Sequence, residues 1–321
     1  MAIPTSSPKR AIVTGATGFI GRQCVPLLAA AGFEVHAVSS RPLTQPEDPA
    51  VRWHQADLLD SEAMARLTAE LKASHLLHLA WYAVPGKYAE SVENLRWCQA
   101  TIELSLRFGE HGGKRAVYAG TCFEYDPSFG YCTEGQTPLR PATLYGTCKR
   151  ATHEVVEAFA QRAGIKAVWG HIFHLYGPHE APTRLVPAAI LALLRGERVR
   201  CSHGRQIRDF LHVADVAGAL VALLMGELEG TVNIGSGEPV SIRTLVTAIA
   251  RHLGATEDRI DFGAIPAPAT DPPILVPNVA RLRTGLSWTP QRTLEDGLAE
   301  TVAWWRGRPE GGPDVQPQNR T

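Results

Sequence analysis

The chain has 321 residues, with 32 basic and 32 acidic side chains and 45% hydrophobic residues. That length can bury one large core or two modest ones. The balanced charge offers no face to a polyanion, which argues against nucleic acid and anionic membrane as partners. Six cysteines, at 24, 98, 122, 132, 148 and 201, form no CxxC or CxxH pairing. They read as free thiols of a reducing compartment, with neither a disulfide framework nor a metal site expected. No apolar run is long enough to span a bilayer. Lys9-Arg10 leads straight into an apolar strand, which leaves no room for a signal peptide. The expectation is a soluble, cytoplasmic protein.

In chain order, the strand Ala11-Ile12-Val13 runs into Thr14-Gly15-Ala16-Thr17-Gly18-Phe19-Ile20-Gly21, followed by a helical run from Val25 to Ala31. Strand, glycine turn and helix in that order let the backbone approach a phosphate at a helix start. Gly15, Thr17, Gly18, Phe19, Ile20 and Gly21 are therefore expected to cradle a dinucleotide pyrophosphate. The spacing is GxxGxxG rather than the commoner GxGxxG. A second strand, Phe33 to Val38, ends in Ser39-Ser40-Arg41. No carboxylate stands there to repel a phosphate, and two hydroxyls and a guanidinium could bind one. The expected cofactor is NADPH, with NAD as the alternative. A third strand, Val51 to Gln55, leads to Asp57, which could accept from an adenine amino group or cap the next helix.

Helices are expected over Ser61–Leu71, Ser91–Glu110 and Ala142–Ala163. Strands are expected over Ser74–Leu79, Arg115–Ala119 and Ile165–Gly170. This alternation predicts an α/β fold, a Rossmann-type doubly wound parallel sheet with ligands beyond the strands' carboxyl ends. Beyond Gly170 the regularity weakens at Pro178, Pro182 and Pro187. A helix is expected over Pro187–Arg195 and strands over Arg198–Cys201 and Phe210–Val213. A helix over Ala214–Met225 and a strand over Thr231–Ile234 follow. Ile260 to Pro277, rich in Pro and Ala, reads as a surface loop. Leu294–Trp305 closes the fold as a helix. The resulting division is an NADP-binding domain over 1–170, rejoined by about 207–235. A smaller substrate-binding domain takes 171–206 and 236–306, and 307–321 is a disordered tail.

Tyr145 and Lys149 are four apart at the start of a helical run, hence on one face. A phenol titrates near 10, too high for proton transfer at neutral pH. An ammonium beside it is expected to lower that value, so that Tyr145 can give a proton to a carbonyl oxygen while a hydride reaches carbon. Thr121, just past the fifth strand, could hold the same oxygen.

These segments together resemble the extended short-chain dehydrogenases/reductases, in their nucleotide-sugar epimerase/dehydratase group. The resemblance runs from about Arg10 to Trp305. It rests on TGATGFIG (Thr14–Gly21), ADLLD (Ala56–Asp60), HLLHLAW (His75–Trp81), AGTCFEY (Ala119–Tyr125), YGTCK (Tyr145–Lys149), LYGP (Leu175–Pro178), RDFLHVADVA (Arg208–Ala217) and NIGSGEPVSI (Asn233–Ile242). It implies that Thr121, Tyr145 and Lys149 are catalytic. Asp57 and Leu58 would flank the adenine, and Leu79, Ala80, Trp81, Ile172 and Phe173 would line the cofactor. Cys122, Phe123, His174, Arg184, Leu185 and Arg208 would face substrate, Arg208 at the nucleotide diphosphate. The two long helices would pair into a four-helix homodimer interface.

The departures narrow the reaction. Sugar dehydratases of this group follow the catalytic Thr with Asp and Glu, where this chain has Cys122 and Phe123. Phe123 moves no proton, which argues against dehydration. Epimerase-reductases carry a cysteine at the Phe123 position and a partner histidine where Arg184 stands. His174 replaces a usual Asn and could face substrate or bond within the core. The form GTCFEY resembles reductases of CDP- or dTDP-linked 4-keto-6-deoxyhexoses. The expected activity is NADPH-dependent 4-ketoreduction of a nucleotide sugar. A 4-epimerase with retained NAD is the alternative, and a non-catalytic NADP-binding sensor is a third reading.

Overall fold

The computed structural model describes residues 9–41, 48–268 and 271–308. The expected disordered tail lies outside the described residues from 309 onward. The first half alternates strand and helix: β1 (Arg10–Thr14), α1 (Gly21–Ala30), β2 (Glu34–Ser39), β3 (Val51–Gln55) and α2 (Ser61–Leu71). There follow β4 (His75–His78), α3 (Glu93–Glu110), β5 (Arg115–Thr121), β6 (Tyr131–Cys132), α4 (Leu144–Ala163) and β7 (Lys166–Ile172). The second half holds β8 (His174–Tyr176), α5 (Leu185–Leu194), β9 (Val199–Cys201), β10 (Ile207–His212), α6 (Val213–Met225) and β11 (Gly230–Ile234). It ends with β12 (Pro239–Ser241), α7 (Ile242–His252), β13 (Ile260–Phe262), β14 (Ile274–Pro277), α8 (Ala280–Leu286) and α9 (Leu294–Arg306).

Seven strands form one parallel sheet in the order β11-β7-β5-β4-β1-β2-β3. Their near-continuous apolar runs, such as Ala11 to Val13 and Leu76-Leu77, are buried because helices cover both faces. One face packs α1 and α6 through Cys24, Leu28, Leu220 and Leu224. The other packs α2, α3 and α4 through Met64, Leu104 and Val156. A third core joins α5, α7 and α9 through Ile190, Leu245, Ile249 and Trp305.

The return to the large sheet comes one strand later than expected. β10 pairs with β8, β12 and β14 in a second sheet, so only α6 and β11 rejoin the first. Ile260–Pro277 is not a continuous loop either, since β13 and β14 stand at its two ends. Each pairs with a strand far off in the chain, β9 for the first and β6 and β10 for the second. No helix among the described residues is long and apolar enough to cross a membrane.

Candidate active site

The carboxyl ends of β1, β2, β4 and β5 converge where the glycine turn lies. Gly15 has φ +64°, and an added Cβ would stand 3.0 Å from Ala80 N at the end of β4. At Gly21 an added Cβ would stand 2.2 Å from Gly15 O. These glycines therefore let three pieces of backbone touch, which is what a phosphate-binding turn requires. Thr14 locks the turn to β4: its Oγ1 accepts from Leu79 N at 3.1 Å and Ala80 N at 3.2 Å. The Thr14 hydroxyl then donates to His78 Nδ1 at 2.8 Å, and His78 Nε2 donates to Thr101 Oγ1 at 3.0 Å. Burial holds His78 neutral, down to about 3, which suits this one-way chain.

Ser39 is buried, 3.1 Å from Thr17 Oγ1, and accepts from Arg41 N at 3.1 Å. Its hydroxyl thus braces the turn, while Ser40 and Arg41 are exposed. Asp57 accepts from Leu59 N at 2.9 Å and is exposed, with Leu58 buried beside it. Asp60, not Asp57, caps α2. Ile172 and Phe173 are buried at the end of β7.

The structure brings Thr121, Tyr145 and Lys149 together. Thr121 ends β5 and caps the short turn Cys122–Glu124, its Oγ1 accepting from Phe123 N at 3.3 Å. Tyr145 and Lys149 sit one turn apart on α4, which Thr143 caps. Gly146 brings α4 against that turn, since a Cβ there would stand 2.3 Å from Phe123 O. The Thr121 hydroxyl is near enough to the Tyr145 phenol to pull its titration down. Lys149 Nζ donates to Ala119 O at 2.8 Å and lies 3.8 Å from the centroid of the Trp81 ring. Trp81 is itself held by Asn94 Oδ1 at 2.9 Å.

The electrostatics differ from the expectation that Lys149 acidifies the phenol. Burial raises Tyr145 above the usual phenol range; the nearby Thr121 hydroxyl lowers it only in part, and Tyr88, Glu124 and Cys122 add to the rise. Burial also pulls Lys149 down to about 7, against the raising effect of Glu124. Spacing suggested an ammonium acidifying the phenol, but Lys149 is not among the groups that shift Tyr145, and desolvation is the largest effect on both.

On the substrate side, Phe123 is exposed and its ring centroid lies 6.2 Å from that of His174. Cys122 is buried, and burial pushes its thiol up. His174 is held at about 3 by burial, then by Arg208 and Arg184, and its buried Nδ1 has no partner. Arg184 precedes Leu185 at the start of α5 and lies 5.3 Å from the Tyr88 ring, which in turn abuts Tyr145 at 4.9 Å. Arg208 is buried and donates to Ile207 O at 2.8 Å and Pro272 O at 2.7 Å, and it pairs with Asp271.

Sequence reading missed Glu124, His153 and His171. They come from three elements, so no spacing signals them. Their ligand-type atoms lie within 4.8 Å of one another. Glu124 Oε1 already accepts from Thr121 N and Trp169 Nε1, so the cluster reads as a charge network rather than a metal centre.

The model of the "NAD dependent epimerase/dehydratase family" matches residues 11–235. UDP-glucuronic acid decarboxylase 1 of Xenopus tropicalis is 27% identical over 310 residues, which cover 93% of this chain and 72% of that protein. The UDP-glucose 4-epimerase of Thermotoga maritima, solved with UDP-glucose, superposes with a TM-score of 0.80 at 25% identity, covering 92% of this chain and 98% of that one. MoeE5, solved with UDP-glucuronic acid and NAD, superposes with a TM-score of 0.78 at 30% identity, covering 92% and 99%.

Proposed function

The chain belongs to the NAD-dependent epimerase/dehydratase family, and we propose that it reduces the 4-keto group of a CDP- or dTDP-linked 4-keto-6-deoxyhexose with NADPH. The observation that carries this reading is a half-buried Tyr145 at the start of α4 whose phenol is held above its usual range and eased by the Thr121 hydroxyl, with Phe123 where an eliminating enzyme needs an acid or base. The glycine cradle fits a dinucleotide diphosphate, because Gly15 and Gly21 admit close backbone approach that any Cβ would block. Exposed Ser40 and Arg41 at the end of β2, with no carboxylate in the stretch Ser39-Ser40-Arg41, favour a 2′-phosphate.

A bound reduced nicotinamide supplies the hydride. Thr121 orients the ketone oxygen through its hydroxyl. Tyr145 gives its phenolic proton to that oxygen as negative charge grows there, so one O–H bond breaks as another forms. The Lys149 ammonium offsets the phenolate left behind. A phenol raised by burial stays protonated at neutral pH, which is the state a reduction starts from and an oxidation does not. Arg208 and Arg184 supply positive charge for the substrate's diphosphate, with Asp271 exchanged for it at Arg208.

The test offers the protein NADPH with CDP-, dTDP-, GDP- and UDP-linked 4-keto-6-deoxyhexoses and follows absorbance at 340 nm. Loss of absorbance with a CDP or dTDP substrate is expected. A 4-epimerase with retained NAD is the second reading, favoured by the NAD-bound and UDP-sugar-bound relatives. Protein that carries NAD through purification, leaves NADPH unconsumed and interconverts 4-epimers of a UDP-sugar would establish that reading instead.

We also propose a homodimer. α3 packs along α4, and the two expose Leu95, Ile102, Leu106 and Val155. Leu95, Ile102 and Leu106 recur at helical spacing on one face, so a second copy of the pair would bury them. Sedimentation should give twice the chain mass, and Leu95→Glu with Leu106→Glu should halve it. A wild-type monomer at micromolar concentration contradicts the proposal.

A further inference from the structure

Behind Thr121, Tyr145 and Lys149 lies a carboxylate that hydride and proton transfer do not touch. Glu124 is wholly buried. Its Oε1 accepts from Thr121 N at 2.9 Å and from Trp169 Nε1 at 2.9 Å. Its Oε2 faces His171 Nε2 at 3.2 Å and His153 Nδ1 at 3.7 Å. A dry charge is costly, and only partners on this scale make it tolerable. The fit leaves no slack: a Cβ at Gly120 would stand 2.2 Å from Trp169 Nε1 and 2.9 Å from Glu124 Oε1. The same short turn abuts α4 at Gly146. The end of β5, the turn and the helix bearing Tyr145 and Lys149 therefore close around one carboxylate.

Lys149 Nζ lies 5.9 Å from the centroid of the Trp169 ring, whose Nε1 donates to Glu124, and it also feels Cys98 on α3 and His78 on β4. Glu124 is faced by His171 on β7 and by His153 and Lys149 on α4. Burial opposes the charge on Glu124, but His171, His153 and Trp169 outweigh it and hold the carboxyl well below its usual range.

We propose that Glu124 is a positioning residue acting from inside the protein: its Oε1 pins the backbone of Thr121, and its negative charge faces Lys149 across the Trp169 indole. The role of Lys149 rests on the reductase reading. The readouts below need no turnover, so failure here and failure of that reading are told apart.

The experiment follows the lysine side-chain resonances of the full chain, labelled with ¹³C and ¹⁵N, across pH. Lys149→Arg assigns the Lys149 signal. In wild type its midpoint should lie near 7, as burial dictates. Glu124→Gln keeps an oxygen for Thr121 N and removes the charge. Its Lys149 midpoint should fall by about one unit or more, a tenfold change in the equilibrium, with the Thr121 amide still protected from hydrogen exchange. Glu124→Asp keeps the charge but is too short to reach Thr121 N and Trp169 together. Its midpoint should stay within about half a unit of wild type, while the Thr121 amide exchanges about tenfold faster or more. A Gln variant with an unmoved midpoint, or an Asp variant with a fully protected Thr121 amide, each overturns the proposal alone. Either variant decides without the other should one fail to fold.

Discussion

Tyr145→Phe should lower kcat by about a thousandfold on the substrate that the panel identifies, the middle of the range for a positioned general acid. The change removes one oxygen and nothing else. The ring still abuts Trp81 at 6.4 Å and Tyr88 at 4.9 Å between centroids, so the fold and the dinucleotide site are left intact. NADPH affinity, read by fluorescence titration, should stay within about twofold, because the lost proton matters only as charge forms on the substrate oxygen. The pH profile should add a second signature. Burial raises the phenol, so proton donation survives into alkaline solution. The limb that titrates near neutrality belongs instead to Lys149, held at about 7. As pH rises through that value the ammonium is lost and the rate should fall. A Phe variant that retains more than about a tenth of wild-type kcat removes Tyr145 from the chemistry.

Gly21→Ala is the second large effect. The new Cβ would meet Gly15 O at 2.2 Å, Ala16 Cα at 2.8 Å and Gly15 C at 2.9 Å. All three are backbone, and the turn they belong to is tied to β4 through Thr14. Neither partner can swing aside as a side chain would. The helix start must back away from the turn, which costs about 3 kcal/mol of overpacking and pulls its N–H groups off the phosphate position. Urea unfolding should show that loss, and NADPH binding should be undetectable at millimolar concentration. Gly32→Ala is the control. Its φ of +84° makes the change unfavourable, but nothing lies within 4 Å of the new Cβ, so the loss should be about 1 kcal/mol with binding unchanged. An alanine at 21 that binds NADPH like wild type removes the glycine turn from cofactor binding.

The large sheet was readable because its signals are local. Ala11 to Val13, Leu76-Leu77 and Val117 are apolar runs between helical stretches, and such alternation admits few folds. α2 begins and ends at the predicted residues, Ser61 and Leu71, since Asp60 and the apolar spacing of Met64, Leu67 and Leu71 mark it within eleven residues of chain. α7 is also legible by that logic, with Ser241 as its cap and Leu245, Val246 and Ile249 on one face, although the prediction omitted it. The strands of the second sheet are not. β13 and β14 have 3 and 4 residues, too few to show a period, and they are strands only because distant partners pair with them.

What the sequence determined by itself is the glycine turn at the start of α1 and the placing of three side chains, Thr121 at the end of β5 and Tyr145 and Lys149 one turn apart on α4. Those features depend on neighbours a few residues away, and φ preference and helical spacing settle them. Only the tertiary structure decided the charges. Whether a phenol is raised or lowered, whether Lys149 is held near 7, and whether Glu124 can be charged at all depend on how much water is excluded and which distant groups fill its place. Desolvation is a property of the closed core, and no spacing along the chain records it.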